Sequence, residues 1–353
     1  MKALTWIIGA IFIVLIGAAG AVRLSPVEDA LFARAVERAM GPRQEGLFDG
    51  DGLKVVFCGT GSPLPSAKRA QACTAIFAGD KFFLVDIGTG SWETLQAAGV
   101  PAARLAGIFL THFHTDHIGD LSEANLGSWI AGRAAPLSVY GPEGAGRIVG
   151  GENEAFALDS LYRTAHHGGA IAPTETAGLS AIAFDAGAPA VIFEKDGLKV
   201  TAFPVKHDPV KPAVGYRFDY RGRSVVVSGD TAYSDSLIEN ARGADLLIHE
   251  AQANHMVAIM RAAAAKAGNA GLANILADIP SYHTSPQDAA RAANAAGAEW
   301  LVMTHLTPAP DNRAAKRIFL RGVSKIRSKN LKIAEDGMTV LLPAAGGARF
   351  GKL

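Results

Sequence analysis

The chain has 353 residues, 49% of them apolar and 19% charged, with 34 basic and 33 acidic side chains and a formal net charge of +1. That length and apolar fraction predict one large two-sheet domain with small appendages and exclude two independent enzymes. The near balance of charge excludes a chain that is basic overall and built throughout for polyanions.

Residues 4–22 carry no charge and lie between Lys2 and Arg23, long enough to cross most of a bilayer. They predict a retained transmembrane anchor. The small-x-small site Ala19-Gly-Ala21 offers a cleaved signal peptide as the alternative, and residues 1–23 are assigned to this segment. A membrane-anchored or exported chain facing the periplasmic side is expected. Ser25-Pro-Val-Glu28 is a capping box with Pro at the first helical position, predicting an amphipathic helix to about Met40 within a 24–50 linker region. The main domain is then residues 51–353.

Gly59-Thr-Gly61 lacks the third Gly and the following helix that a nucleotide fingerprint requires. Cys58 and Cys73, the only cysteines, sit in apolar, strand-like surroundings and are expected to be buried free thiols. Gly107-Ile-Phe-Leu-Thr111 predicts a buried strand that delivers His112 and His114 from its carboxyl end. Imidazoles at i and i+2 of an extended stretch point the same way and can share an ion. Asp116 and His117 fall where the chain turns into a helix, and a second ion could sit there. Nitrogen and carboxylate donors suit zinc first and manganese or iron second, and the lack of a Cys ligand pattern argues for an open site.

Downstream, residues 120–197 contain Trp129, Tyr140, Phe156 and Tyr162 and are expected to wall a pocket, with His166-His167 at its rim. Three further apolar runs end on a polar residue: Leu198–Lys206 before His207, Ser224–Gly229 before Asp230, and Trp300–Thr304 before His305. An α/β layered protein builds a site from loops at one sheet edge in this way. From Arg313 to Lys332 there are eight basic residues and no acidic one, read as a solvated helix face, with nucleic acid or an anionic membrane as alternatives.

Several ordered motifs accompany the His-rich string: Phe57-Cys-Gly-Thr-Gly-Ser-Pro63, Leu84-Val-Asp-Ile-Gly-Thr-Gly90, Ser228-Gly-Asp-Thr231, His249-Glu-Ala251, His283-Thr-Ser285 and Met303-Thr-His-Leu306. Together, over roughly residues 53–342, they resemble the metallo-β-lactamase superfamily, within it the branch of ribonuclease Z and the zinc-dependent arylsulfatases and phosphodiesterases. The resemblance implies a four-layer αβ/βα sandwich holding two zinc ions per subunit: one on His112, His114 and His207, the other on Asp116, His117 and His305, bridged by Asp230. It implies that Asp86 orients a ligand His, that Gly59, Gly61, Gly88 and Gly90 permit tight turns, and that Asp116, His283 and Glu250 are catalytic. His283 would be the general acid, polarised by Glu250, with His249 at most behind them. A water shared by two metals supplies hydroxide near neutral pH.

Ribonuclease Z typically carries an arm that clamps transfer RNA between the counterparts of His207 and Asp230, and here only 22 residues separate them. Leu306-Thr-Pro-Ala-Pro310 also departs from the His-Phe-Ser-x-Arg-Tyr run of that nuclease. The expectation is therefore an arylsulfatase or phosphodiesterase acting on a small anionic ester as a homodimer, with nucleic acid not an expected partner. A transfer-RNA 3′ endonuclease of the ribonuclease Z kind is the alternative. A lactone or ester hydrolase and a non-enzymatic membrane-tethered binding module follow.

Overall fold

The computed structural model describes residues 25–40, 44–49 and 51–353. Residues 1–43 and 44–353 form separate units, and the first contains helix α1 (Ser25–Met40). The apolar segment at residues 4–22, with its proposed anchor and cleavage site, lies outside the described residues. Among the described residues no helix is long and apolar enough to cross a membrane.

The second unit holds strands β1 (Leu53–Gly59), β2 (Cys73–Ala78), β3 (Lys81–Val85), β4 (Leu105–Phe109), β5 (Leu137–Pro142), β6 (Leu179–Phe184), β7 (Ala190–Lys195), β8 (Leu198–Pro204), β9 (Val214–Tyr220), β10 (Arg223–Val227), β11 (Leu246–Gln252), β12 (Trp300–Thr307), β13 (Leu331–Ile333), β14 (Met338–Leu342) and β15 (Arg349–Lys352). Helices α2 (Ser91–Ala97), α3 (Thr115–Ile118), α4 (Leu121–Ile130), α5 (Ala145–Ala155) and α6 (Ala157–His167) follow β3 to β5. Helices α7 (Asp235–Asn240), α8 (Asn254–Lys266), α9 (Ala270–Asp278), α10 (Pro286–Ala296) and α11 (Arg313–Phe319) follow β10 to β12.

The strands form two sheets, ordered β15-β14-β1-β2-β3-β4-β5-β6 and β13-β12-β11-β10-β9-β8-β7. Each joins an antiparallel meander to a run of parallel strands. Parallel neighbours need crossover connections, which is where the helices come from. Alternation along β1 shows how the layers arise: Val55 and Phe57 face the second sheet, while Val56 faces the helices. Phe109, Tyr216, Phe218 and Val302 fill the space between the sheets. Trp92, Leu95 and Leu121 from the helices cover the first sheet's outer face. Leu237, Ala289, Ala293 and Phe319 cover that of the second. The small Ala row lets α10 lie close on its sheet. This is the expected αβ/βα sandwich.

Two expectations need correction. Cys58 and Cys73 are not free thiols but form a disulfide, with Cα atoms 5.1 Å apart. The β1–β2 register shifts between Phe57 and Gly59 and brings the two residues side by side, a pairing that their sequence surroundings do not reveal. Of the residues expected to wall a pocket, Trp129 is buried and donates through Nε1 to Pro173 O (2.9 Å), whereas Tyr140, stacked on Phe109, lines a cleft with Phe83, Ser138, Phe193 and Lys195 that contains none of the metal-centre residues. Phe156 and Tyr162 are exposed. The β9–β10 connection is a two-residue turn, Arg221 (φ 48°) and Gly222 (φ 77°), the positive-φ pair that a tight hairpin demands.

Candidate metal centre

Five strand ends converge at one edge. After β4 the backbone N–H and hydroxyl of Thr111 donate to Asp86 Oδ1 and Oδ2, each at 2.8 Å, fixing the approach of the His-rich string. His112 is fully buried and His114 exposed, with His112 Nε2 2.9 Å from His114 Nδ1. The short α3 then turns Asp116 and His117 inward. Asp86, itself at φ 58°, accepts from His117 Nδ1 (2.8 Å), which leaves Nε2 aimed into the centre. His207, beyond β8, likewise donates Nδ1 to Tyr282 O (3.2 Å). Locking one ring nitrogen this way selects the tautomer whose other nitrogen carries a lone pair.

His305 reaches the centre by a device absent from the sequence reading. β11 and β12 pair Glu250 with Thr304 and Ala251 with Leu306, so His305 is the extra residue of a bulge, at φ 46°. A bulge re-aims one side chain, and here His305 Nε2 lies 3.1 Å from Asp116 Oδ2 and 3.4 Å from Asp230 Oδ2. The adjacent Leu306 N–H donates to Thr60 O (3.0 Å), pinning the bulge to the loop after β1.

Two groups of donors match the expected sets, each with its atoms within 4.8 Å of one another: His112, His114, His207 and Asp230, and Asp116, His117 and His305; Asp230, His283 and His305 form a third group that overlaps them. Asp230 Oδ2 lies 4.0 Å from His112 Nε2 and 3.4 Å from His117 Nε2, between the two sets. His117 Nε2, His207 Nε2, His305 Nδ1 and Asp230 Oδ1 are buried without a hydrogen-bond partner. An unpaired buried polar group costs about 1–3 kcal/mol, and cations coordinated by this cluster would satisfy several at once. Burial, then the charge of His117, drives the His112 imidazole well below its usual range, keeping it neutral as a ligand must be. Burial opposes ionisation of Asp230, but His305 and His117 hold its carboxyl well below the usual range. The donor set fits divalent metal.

His283 stands beside the second group, its ring 5.7 Å from that of His305 and nearly parallel to it. Its Nδ1 donates to Glu250 Oε1 (2.9 Å), which also accepts from the Thr231 and Thr284 N–H groups (3.1 and 3.2 Å). Burial works to lower its pKa, but the charge and hydrogen bond of Glu250 override this and lift it to about 9. His249 is buried and donates Nδ1 to Glu250 O (2.8 Å), but is in neither donor group. His166 and His167 are exposed at the end of α6 and also outside both groups.

Sequence reading assigned no part to Asp336, which accepts from Thr60 N (3.0 Å) and Ala70 N (2.6 Å) and so closes the 60–70 loop. Asp311 accepts from Arg69 Nε (3.1 Å) and Ser66 Oγ (3.0 Å), tying that loop to the segment after His305. Only the Asp-Gly pair at Asp336-Gly337 marks this region as a turn.

Residues 83–306 match the model of the beta-lactamase superfamily domain. A ribonuclease Z of Mycobacterium bovis (strain BCG / Pasteur 1173P2) is 38% identical over 260 residues, covering 73% of this chain and 87% of the relative. A ribonuclease Z of Mycobacterium tuberculosis (strain ATCC 25618 / H37Rv) is also 38% identical, covering 73% of this chain and 86% of the relative. Among solved structures, the metallo-beta-lactamase fold protein YhfI from Bacillus subtilis superposes with a TM-score of 0.59 at 25% identity, covering 82% of this chain and 99% of that one. Human tRNase Z, short form, gives 0.58 at 23% identity, covering 82% and 99%, and speaks to the fold alone. With its two-sheet sandwich, its converging His and Asp side chains and these relatives, the chain belongs to the metallo-β-lactamase superfamily, in its ribonuclease Z-like branch.

Proposed function

We propose that the chain is a dinuclear-metal endonuclease of the ribonuclease Z kind, hydrolysing a phosphodiester bond of precursor transfer RNA. The observation that carries this reading is the 38% identity over 260 residues to curated ribonucleases Z, spanning 87% of the relative's length. It replaces the expected arylsulfatase or phosphodiesterase of small anionic esters and reverses the expectation that nucleic acid is not a partner. The expected membrane-anchored or exported, periplasm-facing enzyme is corrected with it. That expectation rested on residues 4–22, which lie outside the described residues, and the relatives are named for RNA cleavage. The short interval between His207 and Asp230, which had argued against the nuclease, stands beside 38% identity over 260 residues and does not outweigh it.

His112, His114 and His207 would hold one ion and Asp116, His117 and His305 the other, with Asp230 between them, zinc suiting this mix first. Bound there, the ions would supply a hydroxide nucleophile near neutral pH and neutralise charge growing on the phosphoryl oxygens. Asp116 accepts a hydrogen bond from the attacking water and holds it in line with the scissile bond. As the bond between phosphorus and the leaving oxygen breaks, His283 gives that oxygen a proton. Glu250 keeps the His283 imidazole protonated and turned toward the substrate.

Zinc-loaded protein should cut precursor transfer RNA at a single position, and His112→Ala should lower the rate by more than about a hundredfold, beyond the usual loss for residues that merely support a metal ligand. Failure of the native protein to cut RNA while it turns over a sulfate ester or lactone would overturn the reading.

A further inference from the structure

Five of the eight cations between Arg313 and Lys332 fall at intervals of four: Arg313, Arg317, Arg321, Lys325 and Lys329. All five side chains are exposed, and among the described residues none has an ion pair or hydrogen bond. The other three have tasks in the fold. Lys316 pairs with Glu335, Arg327 donates to Ala298 O (2.9 Å) and Glu299 O (2.6 Å), and Lys332 covers the Phe350 ring. The neighbouring carboxylates are engaged too: Asp311 with Arg69, Asp336 with the Thr60 and Ala70 N–H groups, Asp288 with Arg291. Positive charge along the row is therefore uncompensated.

The helix that opens the row is fixed in place and follows the strand that carries His305. Five residues separate β12, which carries His305, from Arg313, and Asp311 in that link is tied to the 60–70 loop. Phe319 is buried in the helix-side core, and the Ile318 carbonyl accepts from His255 Nε2 (3.0 Å), so α11 is fixed in place. Arg313 and Arg317, one turn apart, share a face with about 6 Å between them along the axis. Cations without a partner among the described residues, mostly guanidinium groups, that follow in the chain the strand carrying a phosphodiester-cleaving centre match a polyphosphate strand.

We propose that Arg313, Arg317 and Arg321, continued by Lys325 and Lys329, form an RNA-backbone contact that holds the strand flanking the scissile phosphate. This rests on the reading of the chain as a nuclease. The surface contributes affinity and register without base preference.

The test compares the native protein with the triple variant Arg313→Gln/Arg317→Gln/Arg321→Gln and the charge-preserving Arg313→Lys/Arg317→Lys/Arg321→Lys. It measures binding of fluorescent precursor transfer RNA across a KCl series, its cleavage, and turnover of bis(4-nitrophenyl) phosphate. In the glutamine variant the slope of log affinity against log salt should become shallower by about 2 to 3, one counterion contact being lost per residue. KM for RNA should rise while turnover of the small diester stays unchanged, and lysine should restore most of the slope. An unaltered slope in a variant that folds and cleaves the diester would overturn the proposal and leave the nuclease reading intact. If glutamine impairs folding, native-like RNA affinity in a form bearing only Arg317→Gln/Arg321→Gln would also overturn it. Failure of the native protein to bind or cut RNA would remove the nuclease reading, and the proposal with it. Loss of binding to phosphatidylserine-containing vesicles with RNA affinity retained would assign the row to a membrane surface and overturn the proposal.

Discussion

In the proposed mechanism the chemistry of this site depends on the state of one proton, that of His283. Glu250 lifts its pKa to about 9 against the opposing effect of burial. A raised pKa means the imidazolium persists below that value and is lost as pH rises through it, so His283 acting as the proposed general acid should set an alkaline limit on turnover. Replacing Glu250 by Gln removes the charge that raises the pKa, and the alkaline limb of kcat for RNA cleavage should move to lower pH. His283→Ala should remove the limb and lower kcat by about 10² to 10⁴, the usual worth of a positioned general acid, with metal content unchanged. A limb that stays put in Glu250→Gln would take His283 out of this role. The donors of this centre were legible as residues, because His, Asp and Glu announce their chemistry wherever they stand. The left-handed backbone at Asp86 and His305 was not, since φ there is imposed by Thr111 and His117 in one case and by a β11–β12 register shift in the other.

At the level of elements, β1 and β2 are coupled covalently just before the loop that carries Gly59 to Ala70. Linking residues 15 apart removes freedom from the unfolded chain, worth about 3 kcal/mol. Cys58→Ala/Cys73→Ala should therefore unfold at lower urea concentration by roughly that free energy, and the oxidised native protein should lose a similar amount on adding a dithiol reductant. Equal midpoints with and without reductant would show that the link contributes nothing. The strands around the centre were readable from their apolar runs, but not their ends. β12 was expected to stop at His305 and instead continues to Thr307, because a bulge lets one residue leave the ladder without ending it. The basic row on and after α11 shows the converse: its charges were plain in sequence, and only neighbouring contacts separate the three engaged cations from the five that have no partner among the described residues.

On the scale of the whole molecule, the site is held by two sheets pressed together, with Phe109 at the seam. Its fully buried ring meets Phe83 and Tyr140 from the first sheet and Phe193, Tyr216 and Phe218 from the second. Phe109→Ala should cost about 3–5 kcal/mol by lost burial and the cavity left behind. Because Thr111 and His112 follow directly, bound metal should fall with it. Denaturant titration and metal analysis on the same preparation check both effects. A loss below about 1 kcal/mol would mean the sheets close over the gap without strain.

The chain's residues and their order were enough to read the donor inventory, the layered α/β architecture and the family, because ligand chemistry and the alternation of apolar residues are local properties of the chain. Tertiary packing decided that Cys58 meets Cys73, that Asp86 holds both Thr111 and His117, and that His305 swings out of its strand to face Asp116. Each of these depends on the distance between residues 15 to 189 positions apart. Such distances are set by the summed packing of two sheets and their helices, which no local stretch of sequence contains.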